Sequence, residues 1–194
     1  MKGIIYFSEE LDGFKEEVVK NVTATFKEFG SLEPVLFGLV PNGDKLNIVL
    51  LAGLGTLFIN SEGKDAAAAV IRDFNKEVKP IAIALASEGY MAQYDSVNEV
   101  LDDEGNFINP DYRPANDPNA VEVIAINFET FNKECHAYFA INRDKEAADV
   151  QLFHSTDWVD KSDKEGRLSN LLQENYSEVA QWLNEILSKK HNLN

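Results

Sequence analysis

Pro34-Val35-Leu36-Phe37-Gly38-Leu39-Val40, Pro41-Asn42-Gly43-Asp44 and Lys45-Leu46-Asn47-Ile48-Val49-Leu50-Leu51 form one continuous stretch, and its reading decides the fold. Two β-rich runs flank an Asn-Gly pair. Asn and Gly tolerate the positive φ of a type I′ turn, so the stretch predicts a hairpin. The second run is nearly continuously apolar, which predicts a strand covered on both faces.

Helical periodicity lies on either side. Upstream, Leu11, Phe14, Val18, Val22, Phe26 and Phe29 recur at spacings of three and four, with Ser8 as the expected N-cap and Gly30 as the expected stop. Downstream, residues 62–78 place Ala67, Val70, Ile71, Phe74 and Val78 on one face, capped by Ser61 and ended by Pro80. Ile81-Ala82-Ile83-Ala84-Leu85-Ala86 then reads as a buried strand. Residues 121–128 and 135–141 read as strands joined by a turn at 130–133, and 150–154 as a third strand of the meander. A last helix is expected over 168–188, with Leu168, Leu171, Leu172, Val179, Trp182, Leu183, Ile186 and Leu187 facing the core.

Strictly alternating βαβ units are absent. The expected class is therefore α+β: a mixed or mainly antiparallel sheet with an N-terminal, a middle and a C-terminal helix packed on it, in one domain spanning 1–194. Within 87–120 the pairs Asn109-Pro110, Arg113-Pro114 and Asp117-Pro118 predict a long acidic loop, with a small hairpin from 97–101 and 107–108 as the structured alternative.

The chain of 194 residues carries 33 acidic and 18 basic residues, a formal charge of −15. Such a charge disfavours phosphates and anionic lipid, so neither direct nucleic-acid binding nor membrane association is expected. A protein with a basic face is the partner the charge admits. The apolar run at 4–7 is too short for a signal-peptide core, and no stretch approaches the ~18 apolar residues of a membrane span. The single cysteine, Cys135, cannot form an internal disulfide and fits a reducing compartment; it reads as a buried structural residue, and the cytoplasm is the expected location.

The chemistry-bearing motifs are sparse. Ser87-Glu88-Gly89-Tyr90 follows a buried strand, where a nucleophile elbow would place its serine. Leu85 stands where the elbow needs a small residue, and the bland alternative is that Ser87 and Glu88 satisfy backbone groups at a strand end. His136, His154 and His191 show no metal-ligand spacing, and Cys135 and His136, adjacent on a strand, point to opposite faces. Asp102-Asp103-Glu104-Gly105 is a turn rather than a calcium loop, because the first ligand position falls on Val100. Gly53-Leu54-Gly55 lacks the rest of a dinucleotide or phosphate motif. No cofactor or metal is expected. Arg113 is the only base between Asp95 and Glu122, and it is expected to meet Glu88, with Tyr90 and Tyr112 lining the pocket between them. The candidate polar site is thus Ser87, Glu88, Tyr90, Tyr112 and Arg113.

Ala84-Leu85-Ala86-Ser87-Glu88-Gly89-Tyr90-Met91, with Arg113-Pro114, Asp117-Pro118-Asn119 and Val121-Glu122-Val123-Ile124, resembles a pattern of uncharacterised bacterial and phage-borne proteins. There a buried strand ends in Ser-Glu-Ala-Trp and a loop with proline and arginine leads to the next strand. Gly89 and Tyr90 depart from it. The resemblance implies a constellation of Ser87, Glu88 and Arg113, and no reaction. The expected function is a non-enzymatic interaction or regulatory domain. The alternatives are a small-molecule binder with 87–120 as a lid, and a small hydrolase or metal-assisted enzyme using Ser87 and Glu88 with His136 or His154.

Overall fold

A computed structural model of the chain describes residues 2–43, 45–92, 94, 108–109, 114–143, 149–161 and 171–172. Helix α1 (Lys2–Phe29) leads into strands β1 (Val35–Asn42) and β2 (Lys45–Leu51), then α2 (Ser61–Val78), β3 (Ala82–Ala92), β4 (Ala120–Glu129), β5 (Lys133–Asn142), β6 (Asp149–Ser155) and β7 (Val159–Asp160). The strands form one sheet in the order β2-β1-β3-β4-β5-β6, with β7 beside β5. Every pairing is antiparallel. The α+β class is therefore present, with two α-helices among the described residues. The expected C-terminal helix lies outside the described residues except for Leu171 and Leu172, which are buried in the core. The expected hairpin of 97–101 and 107–108 also lies outside them except for Ile108, and the loop expected from 87 is strand as far as Ala92, because β3 keeps pairing with residues 120–125 of β4.

The sheet has an apolar layer on each side. Leu11, Phe14, Val18, Val22 and Phe26 of α1 pack with Phe37, Leu39, Ala82, Ala84, Ala86, Ile124, Ile126, Phe128, Cys135, Ala137 and Phe139. Ala68 and Ile71 of α2 pack with Leu36, Leu54, Ile83, Leu85, Leu171 and Leu172. Membership alternates between the two layers along β1 and β3, and every second residue of β4 and β5 joins the α1 layer, as the two-residue period of a strand requires. Burying each large aliphatic or aromatic side chain of α1 is worth about 1.5–3 kcal/mol, so packing rather than propensity holds the helix. Gly38 leaves room for its neighbours on the α2 side: a Cβ there would lie 3.2 Å from Val49 Cγ2 on β2 and 3.4 Å from Cβ of Pro80, which follows α2.

Four local expectations need correction. Helix α1 begins at Lys2, so Ser8 is interior rather than a cap. Asn60, not Ser61, caps α2, its side chain accepting from Gly63 N at 2.7 Å. Phe29 is 69% exposed because α1 ends there and the chain turns at Gly30 (φ +70°). Val70 is exposed because the buried stripe of α2 runs through Ala67, Ala68, Ile71 and Asn75.

The largest correction concerns β2. The hairpin forms, with Asn42 opposite Lys45, but β2 pairs only with β1 and is an edge strand. Leu50 is 60% and Ile48 38% exposed, so cover on both faces does not hold. An apolar run reports that a strand has something to bury; strand order, which is non-local, decides how much of it is covered.

Candidate functional site

Strand β3 sends Ala82, Ala84 and Ala86 to the α1 face and Ile83 and Leu85 to the α2 face. With unbroken register against β4, Ser87 continues on the α2 face, while Glu88 and Tyr90 lie on the α1 face. The two residues that lead the motif are therefore on opposite sides of the sheet. Tyr112 and Arg113, and with them the expected Glu88–Arg113 pair, lie outside the described residues.

Among the described residues Glu88 meets Arg143, which follows β5. Its Oε2 accepts from Arg143 Nη2 at 2.8 Å, and its Oε1 accepts from the backbone N–H of Leu32 at 2.5 Å. Glu122, opposite Tyr90 on β4, takes Arg143 in a bidentate grip, with Nη2 at 2.7 Å and Nε at 2.9 Å. Arg143 Nη1 donates to the carbonyl of Gly30 at 2.7 Å, and the guanidinium lies 5.5 Å from the centre of the Phe26 ring. One side chain thus holds the C-terminal end of α1, β3 and β4 together. The hydrogen bonding of Arg143 to Glu122 is the main reason its guanidinium is held charged even more firmly than usual. A group fixed in its charged form does not exchange protons, and both oxygens of Glu88 are engaged. The cluster is built as a tie.

A second polar centre sits on the α2 face. Glu129, at the far end of β4, accepts from Lys161 Nζ at 2.6 Å and from the backbone N–H of Leu172 at 3.0 Å, both at Oε1. Asn75 of α2 donates to the carbonyl of Leu171 at 3.1 Å. These bonds anchor Leu171 and Leu172 between α2 and β4.

His136 and His154 occupy the same face as Ser87 but a different part of it. His136 Nδ1 lies 2.9 Å from Asn127 Oδ1 on β4. His154 stands opposite Tyr138, their rings 6.2 Å apart and nearly parallel. Ser87, Ala125, Tyr138 and His154 form one row across β3 to β6. Three strand spacings put Ser87 about 14 Å from His154, and the diagonal to His136 is about 12 Å. Proton transfer needs contact at about 3 Å. Ser87 therefore has neither histidine in reach, and Glu88 is separated from both by the sheet.

Cys135 is fully buried in the α1 layer, and burial pushes its thiol up to about 11. That is the opposite of an activated nucleophile. Burial also raises the Tyr138 hydroxyl. Among the described residues no group of three or more His, Cys, Asp or Glu is arranged to hold a metal ion. No helix among them is long and apolar enough to cross a membrane.

The remaining polar feature is the outward side of α1. Glu9, Glu10, Asp12, Glu16 and Glu17 are all exposed. Lys15, which sits among them in sequence, reaches across to donate to the carbonyl of Thr156 at 3.1 Å. The first half of α1 thus presents a ridge of carboxylates. No family model matches the chain, and comparison with curated proteins and with solved structures returns no match.

Proposed function

We propose that the chain is a non-enzymatic interaction or regulatory domain whose acidic surface addresses a protein with a basic face. The observation that carries this reading is the carboxylate ridge Glu9, Glu10, Asp12, Glu16 and Glu17 on α1, in a chain of formal charge −15. Several like charges on one side of a helix cost some helix stability, and they give a long-range attraction for cationic partners. The same field repels nucleic-acid phosphates and anionic lipid. A cytoplasmic setting belongs to the same reading and is supported by the lone, buried thiol of Cys135. The engagement of Glu88 in structural bonds, and the separation of Ser87 from both histidines, weigh against the hydrolase alternative.

The test is affinity capture from lysate at low and at high salt, with the wild-type chain and with a variant carrying Glu9→Lys, Asp12→Lys and Glu16→Lys. A protein captured at low salt, released by high salt and lost with the variant is the expected result. Capture that ignores both salt and charge reversal, or recovery of no partner, would overturn the reading.

A further inference from the structure

We infer that strand β2 is the dimerisation edge of this protein, pairing antiparallel with β2 of a second copy about a two-fold axis at Ile48. The inference is independent of the acidic ridge and rests on the geometry of the hairpin. Asn42 and Lys45 flank a two-residue connection, which makes them a mutually hydrogen-bonded pair. The alternation that follows turns the backbone groups of Lys45, Asn47, Val49 and Leu51 toward β1. Those of Leu46, Ile48 and Leu50 point outward, where no strand pairs with them among the described residues.

These three residues also share a face. Leu46 packs against the α1 layer, and Ile48 and Leu50 stand opposite Leu39 and Phe37 of that layer. A two-fold axis at Ile48 sets Ile48 against Ile48, and Leu46 against Leu50, in the two copies. Every outward N–H and C=O then finds a partner, and six aliphatic side chains form one continuous row. This self-complementarity is what an isologous interface requires. A partner without the same spacing would match the edge less completely.

Charge agrees. Residues 46–61 contain no acidic or basic side chain, in a chain with 33 acids. Two copies that repel elsewhere meet where neither is negative. Exposed edges are normally blunted by charges, proline or bulges, and Leu46 to Leu51 has none of these. The opposite edge differs: the β5–β6 register shifts between Tyr138 and Phe139. An irregular second edge does not continue the pairing, so assembly stops at two.

Sedimentation of the full chain is expected to give twice the monomer mass of 21.7 kDa at micromolar concentration. Ile48→Lys, which places two like charges face to face on the axis, is expected to give a monomer with an unchanged circular-dichroism spectrum. A monomeric wild type, or a dimer that survives Ile48→Lys, would overturn the proposal. Amide exchange on the wild type decides the matter even if the variant fails to fold. The amides of Leu46, Ile48 and Leu50 are expected to be protected at high concentration and to exchange on dilution, while those of Asn47 and Val49 stay protected throughout. Outward amides that exchange freely at every concentration would refute the paired edge. Loss of the dimer leaves the basic-partner reading untouched, because that reading is tested by charge reversal on α1.

Discussion

Strand β4 carries a glutamate at each end, and the two have opposite circumstances. Glu122 lies on the α1 face, partly exposed, and shares Arg143 with Glu88 and the Gly30 carbonyl. Glu129 lies on the α2 face, 11% exposed, with Lys161 equally buried and the Leu172 N–H bonded to the same oxygen. The first cluster is redundant and wet; the second is spare and dry. An ion pair near water is screened and replaceable, whereas removing one member of a buried pair strands the other charge in a poor solvent. The same residue type on the same strand should therefore differ in importance by several fold.

The largest effect is expected at Glu129. Glu129→Ala leaves the Lys161 ammonium and the Leu172 N–H buried without an acceptor, and urea unfolding should show a loss of about 3–5 kcal/mol. Glu129→Gln keeps an acceptor for Leu172 and should lose less. Replacing both partners, Glu129→Met with Lys161→Met, should recover most of the deficit, because no unpaired charge remains. A double variant as unstable as Glu129→Ala would show that the attachment of Leu172, rather than the buried charge, dominates.

Arg143→Ala comes next, at about 1–2 kcal/mol in the same assay, since the residue is 43% exposed and water reaches the carboxylates it leaves behind. High salt should narrow its difference from wild type and leave that of Glu129→Ala nearly unchanged. Arg143→Lys should resemble the alanine variant more than the wild type, because an ammonium cannot hold Glu122 at two points while also reaching Glu88 and Gly30. Equal salt sensitivity at the two ends would break the comparison.

How much of this was legible in the sequence follows from the range of each interaction. The hairpin at Asn42-Gly43, the stripe from Leu11 to Phe26 and the burial of Cys135 are local or periodic, and the structure bears them out. The exposure of β2 was not legible, because an apolar run reads the same at an edge as in the middle of a sheet. Glu88 was expected to meet Arg113, a residue outside the described ones. Its described partner is Arg143, 55 residues away, and only strand register brings the two together. One signal was available. Glu122 alternates with Ile124, Ile126 and Phe128, so the period of two places a carboxylate on a core-facing side. Such a carboxylate needs a cation from another element. Alternation carried equally far along β3 separates Ser87 from Glu88, and the motif that looked most like a site divides between two faces.

The smallest effect should come from Glu122→Gln, and it sharpens the comparison most. The amide keeps one acceptor for Arg143, while Glu88, the Gly30 carbonyl and the Phe26 ring still hold the guanidinium. A loss below about 1 kcal/mol is expected, against several for Glu129→Ala. A double-mutant cycle between Glu122→Gln and Arg143→Ala should give a coupling of similar size, and high salt should reduce it. A coupling as large as the buried pair at the other end of β4 would mean that Arg143 depends on Glu122 alone, and that its further bonds to Glu88 and Gly30 add no stability. The bidentate contact would then be the tie itself, and the redundancy that separates the two ends would be only geometric.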